Sequence, residues 1–98
     1  MDNKYQELLK YSNPQIVLKM AQKFYGDDVY ITVSTRKDKK YMLLNPNTNK
    51  YIHFGLLPYE DFTYHKNLLR RNNFKNRNKK WANAEKYSPA YASYYLLW

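Results

Sequence analysis

Few residues in this chain are of the types that perform acid–base or metal chemistry. The only histidines are His53 and His65, and the absence of cysteine excludes a disulfide framework and a thiolate metal site. One cluster joins carboxylates to an imidazole, namely Glu60, Asp61 and His65. Because Asp61 and His65 are four residues apart, a helix would place them on one face. A nuclease could use such a pair as base and orienter, or as metal ligands.

The same cluster has a structural interpretation. Asp61 can cap the start of a helix while His65 packs or pairs locally, and a two-metal nuclease needs more carboxylates than Glu60 and Asp61. Phosphate-cradling glycine loops are excluded, since Gly26 and Gly55 are the only glycines. The sequence therefore predicts a protein without catalytic residues, metal or cofactor, and a metal-dependent nuclease is kept as the third interpretation.

Positive charge is concentrated in the middle of the chain. The net charge is +9, and segments 1–35 and 82–98 each sum to zero, so the whole excess lies in segment 36–81. Such clustering is typical of proteins with a polyanionic partner. A charge excess that only keeps the protein soluble is the alternative, although solubility does not require one-sided placement.

The cations of segment 36–81 form two groups. One is a turn, 36–40, whose Lys and Arg side chains would lie at the tip of a hairpin, and the other is a helical stripe formed by Lys66, Arg70, Asn73, Arg77 and Lys80. Lysine and arginine neutralise phosphates and release condensed counterions, and no motif that reads base sequence is present. We therefore predict non-sequence-specific binding of nucleic acid, with duplex DNA the first candidate. The predicted binding residues are Arg36, Lys37, Lys39, Lys40, Lys66, Arg70, Arg71, Lys75, Arg77, Lys79 and Lys80.

These groups must be positioned by a small number of elements. A short helix is predicted over 3–11, and Asn13 followed by Pro14 starts a second helix that runs to about residue 25 and is closed by Gly26. Runs rich in β-branched and aromatic residues predict strands at 29–33, 40–44 and 51–54, the last ending at Gly55. Short polar links between them indicate an antiparallel meander, which needs a helix against one face.

The second half of the chain is predicted to be helical. A basic helix covers 65–80, weakly buried or interrupted near Asn72 and Asn73, and Ser88 with Pro89 opens a helix that runs to the end. Its aromatic face, Tyr91, Tyr94, Tyr95 and Trp98, is predicted to be core. The expected fold is therefore a single α+β domain over 1–98, a three-stranded antiparallel meander packed by the 14–25 helix and the C-terminal helices. No apolar run suggests a membrane span or a secretory signal, which predicts a soluble protein with no membrane partner.

Several motifs resemble those of a known protein family. They are Ser-Thr-Arg-Lys-Asp-Lys-Lys-Tyr-Met at 34–42, His-Phe-Gly at 53–55, Tyr-Glu-Asp-Phe-Thr-Tyr-His-Lys at 59–66, Arg70-Arg71 and the ending Leu-Leu-Trp at 96–98. Together they are similar to small basic proteins of poorly defined function encoded by nucleocytoplasmic large DNA viruses, including giant viruses. The resemblance implies a setting in the virion and in the cytoplasmic viral factory or nucleus of an infected cell.

Three functions follow from these observations. The first is a virus-encoded, non-enzymatic DNA-binding or genome-packaging protein. The alternative is a minor capsid or virion structural protein, whose basic strip meets acidic virion proteins and whose tyrosines and tryptophans form an interface. The third is the nuclease based on Asp61 and His65.

Overall fold

The computed structural model describes residues 3–98. In chain order, the elements are helices α1 (Asn3–Leu8) and α2 (Pro14–Tyr25), strands β1 (Ile31–Val33), β2 (Lys39–Asn45) and β3 (Lys50–Leu56), helices α3 (Phe62–His65) and α4 (Leu68–Arg77), a 3₁₀ helix (Lys79–Asn83), helix α5 (Pro89–Ala92) and a π-helix (Ser93–Leu97).

Helix α2 begins and ends where its capping residues predict. The side chain of Asn13 accepts hydrogen bonds from the backbone N–H groups of Gln15 and Ile16, and Pro14 takes the first helical position. Gly26 ends the helix at φ 100°, a backbone conformation that side-chain-bearing residues rarely adopt. The helix buries Val17 and Ala21. The predicted 14–25 helix is therefore confirmed.

The three strands form the predicted antiparallel meander in the order β1-β2-β3. Tyr41 pairs with Phe54 and Leu43 with Ile52, and Tyr41, Leu43 and Phe54 are buried in the core. Strand β3 does not end at Gly55 as expected but continues to Leu56. Gly55 adopts φ 80° within the strand, so its lack of a side chain allows the pairing to continue through an unusual backbone conformation.

The end of the chain completes the core. Helix α5 contacts β3, and the π-helix contacts both β3 and α2. The fully buried residues here are Ala92, Leu96 and Leu97, whereas the four aromatic residues predicted as core are each only partly buried. A π-helix has a wider turn than an α-helix, so positions that share a face at α-helical spacing separate. The α+β fold is as predicted, but the aromatic residues lie at its rim.

The basic region is not the single helix predicted over 65–80. Helix α3 ends at His65, Lys66 takes a left-handed conformation with φ 55°, and Asn67 caps α4 by accepting from the N–H of Arg70. Helix α4 then runs through Asn72 and Asn73 without interruption and has no buried residue, so of the two expectations for this segment the structure shows weak burial. Lys66 and Lys80 therefore lie outside α4, and the predicted stripe keeps only its central part.

None of the helices formed by residues 3–98 has the length and apolar character needed to cross a membrane.

Candidate functional site

A groove of about 970 Å³ lies between the sheet, α4 and the end of the chain. The sheet side contributes Lys39, Leu56 and Tyr59, the last of which is 64% exposed. Helix α4 contributes Arg70, Asn73 and Arg77, three residues that share one helical face at spacings of three and four. The remaining lining residues are Lys40, Phe54, Gly55, Glu60, Phe74, Trp81, Ser88, Pro89, Ala90, Ser93, Leu97 and Trp98.

Helix α4 is held at the groove by cations on a second face. Arg71 Nε donates to the backbone oxygen of Trp98 at 2.6 Å, and Lys75 Nζ donates to that of Tyr94 at 3.1 Å. Lys75 Nζ also lies 3.9 Å from the centre of the Tyr94 ring. Both acceptors belong to the last turn of the chain, whose carbonyl groups lack partners within the helix. Burial, with the nearby Arg71 charge, lowers the pKa of Lys75 to about 8.

Aromatic rings form one wall of the groove. Phe74 and Trp98 stack with 4.3 Å between ring centres and 6° between ring planes. Trp81, one turn beyond Arg77, meets Phe74 edge-on at 5.8 Å and 75°. The stack fixes α4 to the C-terminal segment, and it leaves Trp81 at the groove beside the polar face of α4.

Some polar side chains of the groove have a partner within the protein, and others have none. Arg70 pairs with Glu60 at 3.0 Å, and both side chains are exposed. Within residues 3–98, the side chains of Lys39, Asn73 and Arg77 have no hydrogen-bond or ion-pair partner. Two cations and one amide are therefore free to meet a ligand, and the exposed Arg70–Glu60 pair is weak enough to exchange partners.

A buried ion pair supports the groove from below. Lys40 Nζ lies 2.9 Å from Asp61 Oδ2, and the two residues are 2% and 1% exposed. Burial lowers the pKa of Lys40, and Asp61 opposes that shift. Asp61 also accepts from the N–H of Thr63 at 3.0 Å and from its hydroxyl, so it caps α3 while it neutralises Lys40.

The ion pair continues into a buried network of hydroxyl groups. Thr63 Oγ1 lies 3.2 Å from Ser12 Oγ, which lies 2.7 Å from the Tyr41 hydroxyl. The Thr63 hydroxyl also accepts from the backbone N–H of Asn13 at 2.9 Å. Burial raises the pKa of Tyr41, so its hydroxyl stays protonated. The network ties the loop before α2 to β2 and to the start of α3.

The model of one protein family matches residues 29–81, which is more than half of the chain. The chain belongs to the DUF5754 family. DUF5754 is described as a family of unknown function, and the matched residues include the sheet, α3, α4 and Trp81. Among curated proteins and among solved structures, none matches the chain.

The DUF5754 segment contains all the predicted binding residues, and the structure separates them into three groups. Lys39, Arg70 and Arg77 line the groove. Lys40, Arg71 and Lys75, also predicted as phosphate contacts, are engaged with the Asp61 side chain and with the backbone oxygens of Trp98 and Tyr94. The third group is exposed and lies outside the groove lining: Arg36, Lys37, Lys66, Lys79 and Lys80.

Sequence reasoning identified part of the groove. It placed Asn73 on the cationic stripe, but it did not single out Tyr59 and assigned Trp98 to the core. Tyr59 follows a β-strand, and no periodicity at that point indicates which way it faces. The one sequence feature that points to Tyr59 is its position directly before Glu60. The partner of Glu60, Arg70, lies on the opposite wall of the groove.

In this DUF5754 chain, the side chains of Asp61 and His65 each bond to partners other than one another. Asp61 caps α3 and binds Lys40, while His65 Nδ1 accepts from the backbone N–H of Asn67 at 3.0 Å. Burial and the charge of Arg70 lower the pKa of His65. The structure therefore shows the arrangement of the structural interpretation, in which Asp61 caps a helix and His65 packs locally. Residues 3–98 contain no group of three or more acidic, histidine or cysteine side chains placed to hold a metal ion.

Proposed function

We propose that this protein binds nucleic acid, without catalysing a reaction on it, through the groove between the sheet and α4. The observation that supports this function is that Lys39, Asn73 and Arg77 have no partner within residues 3–98 and come together on one concave surface with aromatic walls. They derive from the two cationic groups of the sequence, the hairpin and the helical stripe.

The chemistry of these side chains suits a phosphate backbone. Arginine offers a fork of donors to a phosphate, lysine a mobile point charge, and asparagine can donate to a phosphate or pair with a base edge. Arg70 can add a further contact, because its exposed pair with Glu60 is easily replaced by a phosphate. The exposed cations outside the groove, such as Arg36 and Lys80, extend the positive surface on which a long polyanion would lie.

The resemblance to proteins of large DNA viruses makes the viral genome the natural ligand in this proposal. Packaging or protection of that genome needs binding without sequence preference. The groove suits such binding, since it combines charge with aromatic surface and carries no array of base-reading side chains.

The test is the salt dependence of affinity for DNA. The logarithm of the binding constant should fall linearly with the logarithm of salt concentration between about 50 and 200 mM. Arg77→Gln should lower the affinity and reduce the slope by about one unit, because one phosphate contact is lost. Lys19→Gln is the matched control: it removes the same charge from an exposed position of α2 and should leave the slope unchanged. Absence of binding at low salt, or equal effects of the two variants, would refute the proposal.

A second candidate is a structural role in a virion, with other virion proteins as partners. Leu68 and Leu69 at the start of α4 are 64% and 69% exposed, which is unusual for adjacent large apolar residues and suits a protein interface. This candidate predicts a fixed stoichiometry with a major capsid protein that is lost when both leucines are replaced by serine. DNA binding by the same variant should remain intact, which separates the two functions.

A further inference from the structure

The geometry points to an unpaired strand of nucleic acid as the ligand of the groove, with a base stacked on Trp81 and its neighbouring phosphates on Arg77 and Lys39. This inference rests on the proposed nucleic-acid binding and names the form of nucleic acid. It replaces the duplex that the charge pattern alone favours.

The shape of the site favours single bases over a double helix. A protein reads a duplex by projecting a helix or ribbon into a groove about 12 Å wide. Here two cations without a partner within residues 3–98, Lys39 and Arg77, line a concave surface of ligand size that has α4 on one side and the sheet on the other. A duplex would meet only the rim of this surface, whereas an unstacked base with its phosphates can enter it.

Aromatic surface is available to such a base. Trp81 lines the groove, and in its edge-to-face arrangement with Phe74 at least one face of the indole is left uncovered by that partner. Tyr59, largely exposed, lies on the sheet side of the same groove. Stacking on aromatic side chains contributes about 1–3 kcal/mol per base and tolerates every base, since each has a π-face.

Charge and aromatic surface are adjacent along the chain. Arg77 and Trp81 are four residues apart, at the end of α4 and in the 3₁₀ helix, and both line the groove. Asn73 lies one turn before Arg77 on the same face. Alternation of a stacking ring with phosphate-binding side chains matches the alternation of base and phosphate along a strand.

A strand fits better than a free nucleotide. A mononucleotide would be neutralised by Lys39 and Arg77, yet the exposed Arg36, Lys37 and Lys79 add positive charge beyond the groove. Additional cations stabilise a ligand only if it carries phosphates past the groove, which a strand does and a mononucleotide does not.

Four probes of the full chain separate these ligands. They are an oligothymidine of about twelve residues, an abasic strand of the same length and charge, a duplex of that length, and thymidine monophosphate. We expect the oligothymidine to bind at least ten times more tightly than the abasic strand or the duplex at equal salt, and to quench tryptophan fluorescence. The abasic strand keeps every phosphate, so this comparison isolates the contribution of the bases without altering the protein.

Two substitutions then locate the stacking. Trp81→Leu keeps apolar bulk but removes the ring, and should weaken oligothymidine binding by about 5- to 150-fold, the range that corresponds to one stacked base. Its affinity for the abasic strand should stay the same. Tyr51→Leu is the control, since Tyr51 is an exposed aromatic residue of β3 outside the groove, and should leave all affinities unchanged.

The outcomes distinguish the two proposals. Equal affinity for oligothymidine, abasic strand and duplex would overturn the stacked-base assignment and leave the proposed nucleic-acid binding standing. Thymidine monophosphate as strong a ligand as the oligothymidine would overturn the strand in favour of a free nucleotide. No binding of any strand at low salt would overturn both proposals. If Trp81→Leu fails to fold, the comparison of the probes on the unaltered protein still decides.

Discussion

Lys40 shows that burial decides which group a charged side chain can interact with. In the sequence it belongs to a run of cations, and in the structure its ammonium is buried against Asp61. A buried ion pair gains little over an apolar pair of the same shape, because both charges lose their hydration. Replacing only one of the two charged residues lowers stability strongly, since the remaining charge is then buried without a partner.

This asymmetry predicts that a second substitution compensates for the first. Lys40→Met should lower the free energy of unfolding by about 3–5 kcal/mol, because Asp61 loses its counter-ion. Adding Asp61→Asn should restore most of the loss, since asparagine keeps the cap of α3 without a charge. Arg70→Met, which breaks the exposed pair with Glu60, should cost less than about 1 kcal/mol. Chemical denaturation of the four proteins measures each value. A double variant as unstable as Lys40→Met would contradict the interpretation.

The side chain of the same buried lysine leaves no room for a side chain at Gly55. A methyl group at this position would lie 2.9 Å from Lys40 Cβ and 3.1 Å from Leu97 Cδ1, and φ is already positive. We predict that Gly55→Ala destabilises the fold by about 2–4 kcal/mol, the sum of steric overlap and backbone strain. Gly26→Ala is the control: φ is also positive, but no atom lies within 4 Å of the added methyl group, so only the strain of about 1–2 kcal/mol remains. Equal losses in a denaturation experiment would rule out the steric cause.

At the scale of elements, the junction between α3 and α4 contains a hydrogen bond that protonation of His65 would break. Its Nδ1 accepts from the N–H of Asn67, the residue that caps α4. Protonation would make Nδ1 a donor that faces the donor N–H of Asn67. Burial already holds the pKa of His65 below its usual value of about 6.5. Between the folded and the unfolded pKa, the unfolded chain therefore binds more protons, and stability falls as pH decreases below about 6.5.

Substitution of His65 tests this sign. We expect the unfolding midpoint of the natural protein to fall between about pH 7 and pH 5, and that of His65→Gln to fall less. His53 also has a lowered pKa, caused first by burial and then by Arg36, and its contribution is common to both proteins. Parallel pH profiles of the two proteins would show that the junction does not titrate. An NMR titration of each imidazole provides an independent measurement.

The elements differ in how well the sequence predicts them. Helix α2 and the strands carry strong local signals, namely the Asn-Pro cap, Gly26 and β-branched runs, and these elements lie within a few residues of their predicted bounds. The break at Lys66 has no such signal, because lysine rarely adopts positive φ. In the structure, Lys66 ends α3 as a left-handed cap whose N–H donates to the Phe62 oxygen, and Asn67 then caps α4. The π-helix was likewise unpredictable, and with it the exchange of buried aromatic residues for Leu96 and Leu97.

The candidate site was predictable to a similar extent. Residue types and their clustering indicate the cations of the hairpin and of α4, but they do not tell which ones remain free. Arg71 and Lys75 are engaged by carbonyl groups of the last turn, more than fifteen residues away along the chain. Contacts of this range depend on tertiary packing, which no local pattern specifies.

At the scale of the whole molecule, the net charge of +9 should affect folding as well as the proposed nucleic-acid binding. The radius of gyration is 12.7 Å, while the screening length is about 30 Å at 0.01 M salt and about 10 Å at 0.1 M. At low salt every cation therefore repels the others across the compact fold, and the expanded chain relieves that repulsion. Of the two ion pairs within residues 3–98, one is buried and weakly screened, so in this part of the chain salt has little ion-pair attraction to weaken.

Salt should consequently stabilise the fold while it weakens nucleic-acid binding. We predict that the melting temperature rises by a few degrees between about 0.01 and 0.5 M sodium chloride. Lys79→Glu with Lys80→Glu, two exposed positions outside the groove, lowers the net charge by four units and should raise the melting temperature at low salt and flatten its salt dependence. A melting temperature that falls with salt would mean that attractive pairs outweigh repulsion. The positive charge would then be compensated within the fold, and less of it would be available to a polyanion.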